Sequence, residues 1–186
     1  MSEATTQPRP GRVWRCGLAL VVASAVLAWV LGFFPPGGLL LSLTPVTGGG
    51  PLVRIGLDPG EHFTLRYIHS VERLPVWEAH SVDACGRIYV EEERYVRLGA
   101  GMGQMPGVGR VVRRGPYEAI EAMHLPTGDF VLRIGSAAVA HTLIWRDREI
   151  NLSALAPHTA VQFSARPINR LQRLWLDRFS STISTE

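Results

Sequence analysis

Lysine does not occur among the 186 residues, so all 19 basic side chains are arginine. That absence excludes a loop lysine on nucleotide phosphates, a kinase-strand lysine and a Schiff base. Cysteine is nearly as scarce, and Cys16 and Cys85 alone build neither a disulfide framework nor a zinc knuckle. The spacings GxSxG, HExxH and CxxC are missing, as is H-x-E followed by paired cysteines. An excess of one charge is missing too. From Pro35 onward 16 arginines face 15 acidic residues, so most of the net +3 sits at the N-terminus. Nucleic-acid binding, which concentrates basic charge on one face, is not expected. The length suits one domain with an appendage.

What is present begins with an uncharged run over 17–34 (GLALVVASAVLAWVLGFF). As a helix it would rise about 27 Å, close to the hydrocarbon thickness of a bilayer. Arg9, Arg12 and Arg15 precede it, and Pro35, Pro36 and Gly37 end it. By the positive-inside rule, residues 1–15 are then cytoplasmic and 16–36 form a single-pass transmembrane anchor. A cleaved signal peptide with Ala23-Ser24-Ala25 as its cleavage site is the rival. The nine apolar residues that continue past Ala25 favour the anchor. The expected order continues with a linker over 37–51 and an exported β-domain over 52–167, periplasmic in a Gram-negative cell. An amphipathic helix and tail over 168–186 close the chain.

Short runs with period two dominate the exported part. Strands are expected over 52–57, 62–70, 76–82, 87–98, 130–134, 141–145, 149–152 and 160–165, and a short turn or helix over 117–124. Phe63, Leu65 and Tyr67 share one face of the second strand. The fold class expected is mainly β, a small antiparallel sandwich or partly closed barrel. The glycine-rich stretch 99–109 reads as a loop. Leu171, Leu174, Trp175 and Phe179 recur at helical spacing, which fits a helix packed on the sheet better than one lying on a membrane.

The most suggestive polar cluster is Tyr67-Ile68-His69-Ser70-Val71-Glu72, followed by Pro75-Val76-Trp77-Glu78. Alternation carries His69 onto the Phe63/Leu65/Tyr67 face, and a turn can return Glu72 or Glu78 towards it. Such a His/Glu group can hold a metal, exchange protons or simply satisfy buried polarity. Gly99, Gly101 and Met102 join His69, Glu72 and Glu78 as binding candidates. No cofactor or metal set is expected, and no catalytic residue stands out.

The YIHSVE run with Pro75, Val76 and Glu78, together with Gly99-Ala100-Gly101 and Arg148-Glu149-Ile150-Asn151-Leu152, resembles an uncharacterised family. Its members are small exported proteins of unknown function, often encoded beside TAXI-type TRAP transporters. The resemblance covers roughly 40–167. It implies a membrane-anchored accessory protein whose partner is a transporter component, without turnover of its own. The alternatives are a small-ligand-binding module or a hydrolase or metal enzyme built on His69 and a glutamate.

Overall fold

The computed structural model describes residues 11–32, 36–97 and 107–180. Helix α1 spans Gly11–Gly32. The strands that follow are β1 Pro36–Pro45, β2 Val53–Leu57, β3 His62–Ile68, β4 Pro75–Val82, β5 Ile88–Tyr95 and β6 Arg110–Arg114. They continue with β7 Tyr117–Glu121, β8 Leu125–Pro126, β9 Phe130–Arg133, β10 Thr142–Trp145, β11 Arg148–Asn151 and β12 Ala160–Asn169. Helix α2, Leu152–Leu155, precedes β12, and α3, Arg170–Ser180, follows it.

The strands form two antiparallel sheets, as in a sandwich. Sheet A has the order β2-β1-β12-β9; sheet B has the order β11-β10-β3-β4-β5-β7-β6, with β8 beside β5. Alternate residues of both sheets meet in one core. Leu39, Leu41 and Leu43 of β1, Phe163 and Ala165 of β12, and Phe63 and Leu65 of β3 are all buried there. Sheet A does not cover all of sheet B. A second apolar cluster, Val76, Tyr95 and Ile120 with Tyr67 and Met123, contains no residue of sheet A. This end of sheet B, buried without sheet A, matters below.

The expected membrane anchor is corrected. Among the described residues no helix is long and apolar enough to cross a membrane. Phe33 and Phe34, which the expected span requires, lie outside the described residues. The single-pass localisation with its N-terminus inside and the membrane-anchored accessory role fall with the span. The expected membrane partnership through that helix falls too, and the transporter component, expected from the family resemblance, loses the tether that was to hold the chain beside it.

Two further differences have local causes. The expected linker supplies β1, which lies between β2 and β12. Leu39, Leu41 and Leu43 alternate onto the core face, while Leu40, Ser42 and Thr44 on the other face are only half-buried. The expected turn or helix over 117–124 is instead β7, paired with both β5 and β6. Ladder pairing there overrides the helix-forming Glu and Ala residues. Helix α3 packs on sheet A as expected, with Leu176 buried and the Arg173 guanidinium donating to Leu57 O at 2.9 Å.

Candidate functional site

The inner face of sheet B is set by alternation along three neighbouring strands. In β4, Val76, Glu78, His80 and Val82 fall on it; in β3, Phe63, Leu65 and Tyr67 do. Register joins them, with Phe63 opposite His80, Leu65 opposite Glu78 and Tyr67 opposite Val76. In β5, Ile88 and Val90 begin on the same face, opposite Val82 and His80. The register then shifts, and the bulge at Glu91 turns the strand by one position. Without it, Glu92 and Arg94 would point inward. With it, Glu93 stands opposite Glu78 and Tyr95 opposite Val76.

The result is a compact polar cluster on the end of sheet B that sheet A leaves uncovered. The Tyr67 hydroxyl donates to Glu78 Oε1 at 2.8 Å, and the Tyr95 hydroxyl donates to Glu93 Oε2. Burial raises the Glu78 carboxyl above the ordinary carboxylate range; the Tyr67 bond opposes the rise, and the Glu93 charge adds to it. Both phenols are pushed far up, first by burial and then by the carboxylates beside them. They therefore stay protonated as donors. The His141 ring lies 5.3 Å from the Tyr67 ring, and its Nδ1 accepts the Gly135 N–H at 2.8 Å. Burial lowers its pKa, which keeps it neutral.

Most other acidic side chains among the described residues are paired with a cation. Glu61 is held by Arg146, Glu118 by Arg113, Glu121 by Arg110 and Arg114, and Glu149 by Arg66. Asp129 pairs with Arg166, Glu92 with Arg94, and Glu91 with His124. Among the described residues, Glu78 and Glu93 meet phenols and each other, and no cation.

His80 sits deeper. It is 2% exposed and stacked between Phe63 and Phe130, at centroid distances of 4.9 and 5.4 Å. Its Nδ1 lies 3.1 Å from the Glu78 carbonyl, an atom that only accepts, so the neutral ring carries its proton on Nδ1. Burial pushes its pKa down to about 4. This histidine belongs to the core.

Of the sequence-derived candidates, Glu78 lies in the cluster. His69 lies in the β3–β4 turn, where its Nδ1 accepts the Glu72 backbone N–H at 3.2 Å and its own N–H donates to Leu74 O. His69 is not among the hydrogen-bond partners of Glu78. Gly99, Gly101 and Met102 lie outside the described residues. Among the described residues, no group of three or more His, Cys, Asp or Glu is placed to hold a metal ion. Sequence reasoning missed Tyr95 and Glu93 as site members because the bulge sets their facing. Period two over 76–82 would have placed Glu78 and His80 together between two inward valines.

Residues 63–152 match the model of a family described as a domain of unknown function (DUF1850). The match runs from the second residue of β3 to the first residue of α2 and so contains every residue of the cluster. Its description names no transporter. No curated protein and no solved structure matches the chain.

Proposed function

We propose that the region matched to this family of unknown function works as a small-ligand-binding module. Its site is the Tyr67–Glu78–Glu93–Tyr95 cluster, and its ligand presents a cationic nitrogen group, an ammonium or a guanidinium. The observation that supports this is the opposed, partly buried carboxylate pair, which among the described residues has no cation beside it. Like charges facing each other across antiparallel strands repel, and burial adds to the cost. A cation seated between them relieves both penalties, and its N–H donors suit the carboxylate oxygens. Each phenol spends its single proton on one carboxylate oxygen, which fixes the carboxylates and leaves other lone pairs for a ligand. The aromatic faces of Tyr67 and Tyr95 also favour a cation.

His69 and Glu72, in the turn after β3, and Gly99, Gly101 and Met102, which lie outside the described residues, are not assigned a role in this reading.

Thermal denaturation of the full chain with added agmatine tests the proposal. The melting temperature should rise saturably with agmatine in the natural protein and stay flat in Glu93→Gln. An absent response, or an equal rise in the variant, rejects it.

A further inference from the structure

The bulge that turns Glu93 and Tyr95 inward is held by contacts of its own. Val90 pairs with His80 and Glu92 with Ala79, so Glu91 is the extra residue of β5. Its Oε1 accepts the Ser81 hydroxyl at 2.5 Å and the His124 Nδ1–H at 2.9 Å. Burial alone would raise this carboxyl, but the Ser81 and His124 bonds outweigh it and hold the group below the ordinary carboxylate range. The Glu91 carbonyl accepts the Met123 N–H. Glu91 thus falls between the two strands along that edge of β5, since β8 pairs with Tyr89 and Val90 and β7 begins at Glu93.

The turn that supplies two of these contacts is itself strained, for Ala122 and His124 both take positive φ, 55° and 40°. It grips β5 from both faces. Met123 packs against the Val76, Tyr95 and Ile120 cluster, while the His124 ring stacks on Tyr89 at a centroid distance of 4.3 Å. The register that competes with this one is specific. Without the bulge, Glu92 would stand opposite Glu78, and Arg94 opposite Val76, in the place of Tyr95. Arg94, which pairs with Glu92 on the outer face, would then bring a guanidinium onto the inner face beside Glu78.

We propose that Glu91 is the positioning residue of the cation site: it locks β5 in the register that leaves the carboxylate pair open to a ligand, and without it β5 slips and Arg94 becomes an internal occupant. This rests on the cation-binding reading. In the full chain, melting with agmatine reads the ligand, and ultraviolet titration of the phenols reads the register without one. Glu91→Ala should lose the agmatine response. One phenol more than in the natural protein should ionise at about pH 10, because Tyr95 turns outward. Adding Arg94→Gln to Glu91→Ala should restore the response, since Glu92 then faces Glu78 with no cation, and a simple loss of structure would not be rescued. Glu91→Gln keeps an oxygen acceptor for Ser81 and His124 and should rescue both readouts. His124→Ala removes one contact at an exposed position and should weaken agmatine binding about threefold, the scale of an exposed ion pair. A natural response in Glu91→Ala, unchanged phenols, or a double variant as silent as the single one would overturn the proposal. Should Glu91→Ala not fold, undiminished affinity in His124→Ala overturns it instead. If the natural protein ignores agmatine while Glu91→Ala releases its phenol, the cation-binding reading fails and the register lock stands.

Discussion

Glu78 of β4 and Glu93 of β5 stand directly opposite one another in an antiparallel ladder, and each receives its hydrogen bond from a tyrosine. Tyr67 and Tyr95 come from strands on the two sides of β4, so the pair is clamped from both directions. The bulge at Glu91 makes the arrangement possible by turning Glu93 inward. A fold stabilised by Leu and Phe packing thus carries a destabilising pair at the end its second sheet does not reach, as binding sites often do.

Removing one charge of the pair should therefore stabilise the protein. Glu93→Gln is expected to gain about 1 kcal/mol at pH 7 in urea denaturation, because cross-strand like-charge repulsion is of that order. The pH trend follows from Glu78, whose folded pKa lies above its unfolded value of 4.5. Its ionisation penalises the fold above that raised pKa, and the penalty is released as pH falls from it towards 4.5. Glu93→Gln should shrink this acid-side gain.

His80 acts in the opposite direction. Its folded pKa of about 4 lies below the unfolded 6.5, so its contribution is complete above pH 6.5 and is lost on acidification towards 4. Between pH 6.5 and 5 that loss is about 2 kcal/mol. Phenylalanine in its place can keep the stack with Phe63 and Phe130 without titrating. Denaturation series at pH 7 and pH 5 should show a smaller acid loss for His80→Phe than for the natural protein.

Tyr67→Phe should leave Glu78 short of its donor. The expected cost is about 1–3 kcal/mol at pH 7, the range for depriving a buried polar group of its partner. The Glu78 carboxyl should also titrate at a higher pH, since the bond it loses favours the ionised form. Side-chain carbon NMR of labelled glutamate reads both forms.

Much of the sheet framework was legible because β2 to β5 and β9 to β12 alternate in the usual way, as Phe63-Leu65-Tyr67 does. Strand β1 was hidden by its own composition. Its consecutive leucines 39–41 obscure the alternation that Leu39, Leu41 and Leu43 carry, and they follow closely on the apolar run over 17–34. The carboxylate pair was half visible. Glu78 follows from simple alternation, whereas Glu93 depends on one extra residue in β5 that no periodicity announces. His69 showed the opposite error, since the alternation that aimed it inward ends at Ile68 and gives way to a turn.

Gly37→Ala should disturb α3 while sparing the core. The added methyl group meets the backbone of Asn169, which cannot yield as a flexible side chain would. Hydrogen exchange should accelerate over 170–178 with protection retained in β3 and β4.

The central claim is that the opposed carboxylates receive a cation, and isothermal calorimetry with agmatine at pH 7 and pH 5 measures it most directly. The account expects saturable binding at pH 7, weaker binding at pH 5 as Glu78 takes up a proton, and none in Glu78→Gln/Glu93→Gln. Binding that is indifferent to both pH and the double substitution, or no binding to the natural protein at pH 7, would contradict it.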